Sequence, residues 1–245
     1  MCPRSSPQRR RCATARLAPG AVLTMSQDEA LVATLPAVAR LALVYAPASA
    51  REQTLALFAL DARLATLIRR SSEPMLAQLR LAWWREAISG EPASWPQGEP
   101  ILAALRSWGP DAPSAAALVD AWEALTAPSP LSAEALRAFA QGRGAAAAAL
   151  ASALSRPHER DAARELAEFW AAEDLATRLS RDDERAEAVA LATQLPRRLP
   201  KVSRALRPLR VLAGLSRRRR QVGSDEGAAS PSAMLEALKL GLLGL

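Results

Sequence analysis

The stretch "LALFALDARLATLIRRSSEPMLAQLRLAWWREAISG", Leu55 to Gly90, reads as two apolar helices joined at Arg69-Arg70-Ser71-Ser72. On a helical wheel, Leu57, Leu60, Leu64, Leu67 and Ile68 gather with Phe58 and Ala65 on one broad face of the first helix, and Asp61 lies inside that face. An isolated carboxylate among hydrophobic side chains is costly, so Asp61 must be paired, bound to a metal or protonated. The second helix spreads Met75, Leu76, Leu79, Leu81, Trp84 and Ile88 over a wide arc around Trp83, which predicts packing against neighbours on two sides. Arg80 falls within that arc. A buried acid and a buried base on consecutive helices are natural partners, and the expectation is an Asp61–Arg80 pair. A carboxylate facing a ligand fits the same position.

Outward from this pair of helices the pattern is the same. After Met25, Val and Ile are sparse, strict alternation is absent, and the helix formers Ala, Leu, Arg and Glu dominate. Helices are expected near 27–46, 50–70, 73–89, 99–108, 114–126, 132–154, 159–180, 184–195, 199–216 and 232–243. The breaks between them carry turn chemistry: Pro47 and Ser49, Glu73-Pro74, "GEPASWPQGEP" at 90–100, "APSP" at 127–130 before Ser132, and Gly223 to Pro231. The fold class is therefore all-α, one domain over 25–245. The Ala145–Ala149 run reads as a place where two helices approach closely, and His158 as a solvated residue in the first turn of its helix.

Residues 1–24 carry five Arg, no acid and no hydrophobic periodicity, which predicts a disordered extension. Three origins are open: a transit peptide, a nucleic-acid arm, or a start assigned too early with Met25 as the initiator. The last fits an Ala-rich chain in which 30 of 32 basic residues are Arg. The arm is disfavoured by the lack of interleaved aromatics.

The net charge of +7 is unevenly distributed. Residues 25–195 hold 16 basic and 22 acidic groups, whereas 196–220 hold nine Arg, Lys201 and no acid. Within this basic segment Leu206, Leu209, Leu212 and Leu215 follow one ridge and Lys201, Arg204, Arg207 and Arg210 another, a pattern that suits a reversible contact with an anionic membrane surface or simply a core-facing helix. Pro208 is expected to bend that helix. Nucleic acid is not an expected partner, because the basic run has no aromatics and adjoins an acidic body. With one His, and with Cys2 and Cys12 both in the extension, zinc clusters, Cys/His nucleophiles and histidine-ligated haem are excluded. No apolar run reaches the length of a membrane span. The expected location is cytoplasmic, or peripheral on the inner face of the membrane.

"LPAVARLALVYAPASAREQTLALFALDARLA", "MLAQLRLAWWREAISG", "GEPILAALRSW" and the later "LPRRLPKVSRALRPLRVLAGLSRR" together resemble the squalene/phytoene synthase family over roughly residues 28–216, with "LRLAWWREAI" the most specific piece. The resemblance implies an isoprenoid-synthase-like helical bundle around a central apolar cavity. Catalytic members of that family carry two aspartate-rich helices whose carboxylates hold magnesium against a prenyl diphosphate. The first motif, Asp-Asp-x-x-Asp, would fall on Ala65, Thr66 and Arg69. The second would fall on Leu175, Arg178, Arg181, Asp182 and Ala186, so that only the Arg181-Asp182 pair survives. Asp61, Glu173, Asp174, Asp182 and Asp183 offer other carboxylates, but Asp174–Arg178 and Arg178–Asp182 at i,i+4 spacing are expected to pair on a solvated face.

The resemblance thus implies Asp61, Arg80, Trp84, Arg178, Arg181 and Asp182 as ligand-contacting residues, with no catalytic or metal-binding set. It points to a degenerate, non-catalytic member that binds a prenyl lipid or isoprenoid, or serves a protein client as an assembly or scaffold factor. A mitochondrial factor that helps assemble respiratory complex I belongs to that non-catalytic branch. The alternative is an active, magnesium-dependent prenyltransferase that condenses prenyl diphosphates.

Overall fold

The computed structural model describes residues 26–71, 73–196, 198–222 and 231–243. The extension 1–24 lies outside these residues. Among the described residues all regular secondary structure is helical. Eleven α-helices follow in order: α1 (Gln27–Thr34), α2 (Ala37–Leu43), α3 (Ala48–Arg70), α4 (Pro74–Ser89), α5 (Pro100–Leu105), α6 (Ala116–Ala124), α7 (Ala133–Ala153), α8 (Arg160–Arg178), α9 (Asp182–Gln194), α10 (Arg207–Val222) and α11 (Pro231–Leu238). Short 3-10 segments precede several of them, and a π-helical turn, Lys239–Leu243, follows α11.

Local chemistry sets the ends. Ser26 accepts a hydrogen bond from the Glu29 amide while the Glu29 carboxylate accepts one from the Ser26 amide, a reciprocal cap that starts α1. The single helix expected over 27–46 is divided: α1 stops at Thr34, and Pro36, which forbids helical backbone before it, caps α2. Ser132 caps α7 through the Ala135 amide.

Helix α3 is the axis of the molecule. Every residue from Thr54 to Ala62 is buried, because α1, α2, α4, α5, α6 and α7 all pack on it. Burial of each large side chain here, such as Leu55, Phe58 and Leu60, contributes about 1.5–3 kcal/mol. Helix α7 is clasped between α6 and α8, its most extensive neighbours. A Cβ on Gly142 would sit 2.7 Å from Ala121 Cβ and 2.8 Å from the Ala117 carbonyl, so glycine sets the α6–α7 spacing. The alanine run Ala146–Ala149 is buried, as close helix packing requires, and His158 is exposed.

Two expectations are corrected, the packing of α4 and the bend at Pro208. Helix α4 buries one stripe only, Ala77, Leu81, Trp84 and Ile88, while Met75, Leu76, Leu79 and Trp83 face outward. It lies at the periphery, against α6, the 106–115 segment and α3. Of the two readings of the leucine ridge, the core-facing one holds: Leu206, Leu209, Leu212 and Leu215 are buried in the core. Pro208 sits in the first turn of α10, where its missing N–H removes no intrahelical bond, and the helix starts there instead of bending.

Candidate functional site

The interior cleft is built around Asp61. Its carboxylate accepts three hydrogen bonds from Arg143 on α7: Nε to Oδ1 at 3.1 Å, Nη2 to Oδ1 at 2.8 Å and Nη2 to Oδ2 at 2.9 Å. The Trp122 indole N–H on α6 donates a fourth, to Oδ1 at 2.9 Å. Arg143 is 1 % exposed. Its guanidinium carbon lies 3.8 Å from the centroid of Trp170, 4.6 Å from Phe139 and 5.5 Å from Trp122, so three ring faces solvate the charge that Asp61 balances.

Arg80 does not take part. It is exposed on α4, as are Met75, Leu79 and Trp83. The expected Asp61–Arg80 pair is replaced by Asp61–Arg143, because the partner comes from a helix that packs directly on α3. Arg80, Trp83 and Trp84 instead border a separate shallow cleft of about 400 Å³ with Arg63, Thr66, Leu67, Arg70 and Glu99. Trp84 itself is buried, 3 % exposed, in the α4 core stripe.

Above the Asp61–Arg143 floor lies a cleft of about 70 Å³ between α2, α3, α8 and α10. From α3 it is lined by Ala62, Ala65, Thr66 and Arg69; from α8 by Trp170, Asp174, Thr177 and Arg178; from α10 by Leu212, Leu215, Ser216 and Arg219. Spacing of three and four residues along each helix places these side chains on one face. Asp174 is shared between two cations, accepting from Arg178 Nε at 2.6 Å and lying 3.6 Å from Arg143 Nη1. Asp174 beside it raises the Arg178 guanidinium further above its ordinary range.

The other residues expected at the site lie elsewhere. Helix α8 ends at Arg178 and Asp182 opens α9, so the i,i+4 geometry assumed for Arg178–Asp182 does not exist. Asp182, 95 % exposed at its side chain, pairs with Arg185 at 3.0 Å. Arg181 pairs with Asp183 at 2.7 Å on the surface. Asp174–Arg178 is the expected pair that forms. Nor is this acidic segment wholly solvated, since Glu173 is 1 % exposed and takes its hydrogen bonds from Arg220 of α10.

Arg143, Trp122 and Trp170 did not emerge from the sequence reading. A signal was present: Arg143 is the only charged residue between Arg137 and Arg156, and it lies between two glycines in an alanine-rich helix.

The donor set does not fit magnesium. That ion requires several oxygen ligands in near-octahedral geometry, whereas Ala65, Thr66 and Arg69 bring one hydroxyl and no carboxylate to the cleft. The two aspartates present are already engaged by arginines. Among the described residues no cluster of three or more His, Cys, Asp or Glu side chains is placed to hold a metal ion, and no helix is long and apolar enough to cross a membrane. No protein-family model, no curated protein and no solved structure matches this chain.

Proposed function

We propose that this chain is a non-catalytic, squalene/phytoene synthase-like protein, a binding or assembly factor that has kept a helical cleft and lost the chemistry of prenyl transfer. One observation carries the reading. Residues 65, 66 and 69, where the resemblance puts the first magnesium-binding aspartates, line the cleft as Ala, Thr and Arg, and Arg178 faces them from the helix of the second motif. A carboxylate pair facing across a cleft would gather metal ions; here cations line both walls. The volume agrees with this, since about 70 Å³ is far below the ~300–1,000 Å³ of sites that enclose drug-sized ligands. A bound prenyl lipid would therefore place its head at the cleft and its chain outside, and a protein client would use the outer faces of the bundle. A contact of 196–220 with an anionic membrane would rest on its arginines and Lys201, without the leucine ridge.

Turnover decides between this reading and an active prenyltransferase. Purified protein incubated with labelled farnesyl diphosphate and magnesium is expected to release no more pyrophosphate than a heat-killed control. Release above that control would overturn the proposal. Placing aspartates at 65, 66 and 69 together is expected not to create activity, because Leu175, Arg178 and Ala186 still stand in the second motif.

A further inference from the structure

We infer that the α3–α8–α10 cleft is a metal-independent anion site that takes a phosphate-type group directly on arginine. The inference rests on the reading of the cleft as non-catalytic and deepens it by naming what the cleft binds. Four arginines and two aspartates line it: Arg69, Arg143, Arg178 and Arg219 against Asp61 and Asp174. Asp61 is consumed by Arg143 and Trp122, and Asp174 is divided between Arg143 and Arg178. Among the described residues neither Arg69 nor Arg219 forms an ion pair, so the two excess positive charges sit on opposite walls, on α3 and α10.

The floor points the same way. Arg143 Nη1 is buried without a hydrogen-bond partner, the Asp174 carboxylate lying 3.6 Å from it and being held more closely by Arg178, and its residue borders the cleft. A buried, charged donor that makes no hydrogen bond is costly, and an anion oxygen within hydrogen-bond reach is a partner that suits it. The hydroxyls of Thr66 and Thr177 are turned to their own helices, donating to Ala62 and Asp174 carbonyls. The recognition is therefore left to guanidinium groups, whose planar forks match phosphate oxygens and whose charge is independent of pH in the physiological range. No carboxylate at 65, 66 or 69 remains to bridge through a metal. The group bound could be a free ion or the head of a phosphorylated lipid; both present the same oxygens.

Isothermal titration of the full chain with inorganic phosphate, pyrophosphate and geranyl monophosphate, each in EDTA and in magnesium, tests this. Binding in EDTA is expected, unchanged by magnesium and weakened by salt. Arg69→Gln/Arg219→Gln, which leaves the buried floor intact, is expected to weaken it about tenfold or more, whereas Arg137→Gln/Arg156→Gln removes the same charge from other surfaces and is expected to leave it unchanged. Tighter binding of geranyl monophosphate than of phosphate assigns the anion to a lipid head, and equal binding assigns it to a free ion. Absence of binding, a requirement for magnesium, or equal loss in both double variants would overturn the inference. The first and third of these leave the non-catalytic reading standing, whereas turnover of farnesyl diphosphate overturns that reading whatever the titrations give.

Discussion

Asp61 and Asp183 are both held by arginine, the first across 82 residues on the cleft floor and the second across two residues on the surface. Asp61 lies in the Thr54–Ala62 stretch of α3, in which every residue is buried, and receives four hydrogen bonds from groups that are themselves buried. Asp183 and Arg181 are each about half exposed at the side chain, where water competes for every contact. The same two functional groups therefore do different things. At the surface the pair adds little to stability, whereas on the floor removing either member leaves a buried charge without its main partner.

The largest expected effect breaks the floor. Asp61→Ala leaves Arg143 charged among Trp170, Phe139 and Trp122, with only a share of Asp174 at 3.6 Å to balance it, and should cost about 3–5 kcal/mol in urea unfolding. Asp61→Leu/Arg143→Met together should cost much less than the single change, since no charge is then stranded. If the single change costs nothing measurable, the contrast between floor and surface collapses. Next comes the helix spacing that brings Arg143 and Trp122 to α3: Gly142→Ala drives a methyl into the Ala117 carbonyl and Ala121, at an expected cost of about 1–3 kcal/mol. A neutral result would mean that α6 and α7 can move apart without loosening the floor.

Two carboxylates sharpen the comparison through pH, with opposite signs. Burial raises the Glu168 carboxyl above its ordinary range, an effect that Arg164 only partly offsets. Its ionised form therefore destabilises the fold above the raised value, and that cost disappears as acid protonates it. Glu168→Gln should raise the thermal midpoint at neutral pH and lose that advantage on acidification. Asp183 is the reverse: its hydrogen bond from Arg181 holds it below the ordinary value, so whatever stabilisation it gives is present above the unfolded carboxylate value and is lost as pH falls. Asp183→Asn should shift the neutral-pH midpoint least of all, and a large shift would show that the surface pair is not simply solvated.

Most helices were legible because periodicity and turn residues speak locally. Pro36 divides the 27–46 segment, a break that apolar periodicity alone does not show. The burial of α4 is illegible for a different reason: a wheel shows where apolar residues gather but not which stripe a neighbour covers, and Met75, Leu79 and Trp83 gather on a stripe that stays exposed. The position of Asp61 inside an apolar face was legible, and its partner was not, because nearness in sequence favoured Arg80. Arg143 is a solitary charge in an otherwise uncharged helical segment and Asp61 a charge set inside the apolar face of its helix, and matching such misplaced charges of opposite sign joins them.

The 82-residue span of that pair also bears on the order in which the chain folds. Helices α6, α7 and α8 are neighbours in sequence and can dock early with short loops to close, leaving Arg143 on a face still open to water. Only when α3 arrives is its charge sealed together with Asp61. The seal is then a late event, so weakening it should leave the folding rate nearly unchanged and speed unfolding instead. Asp61 in this picture acts as the latch of a finished structure, setting how long the native state lasts more than how quickly it forms.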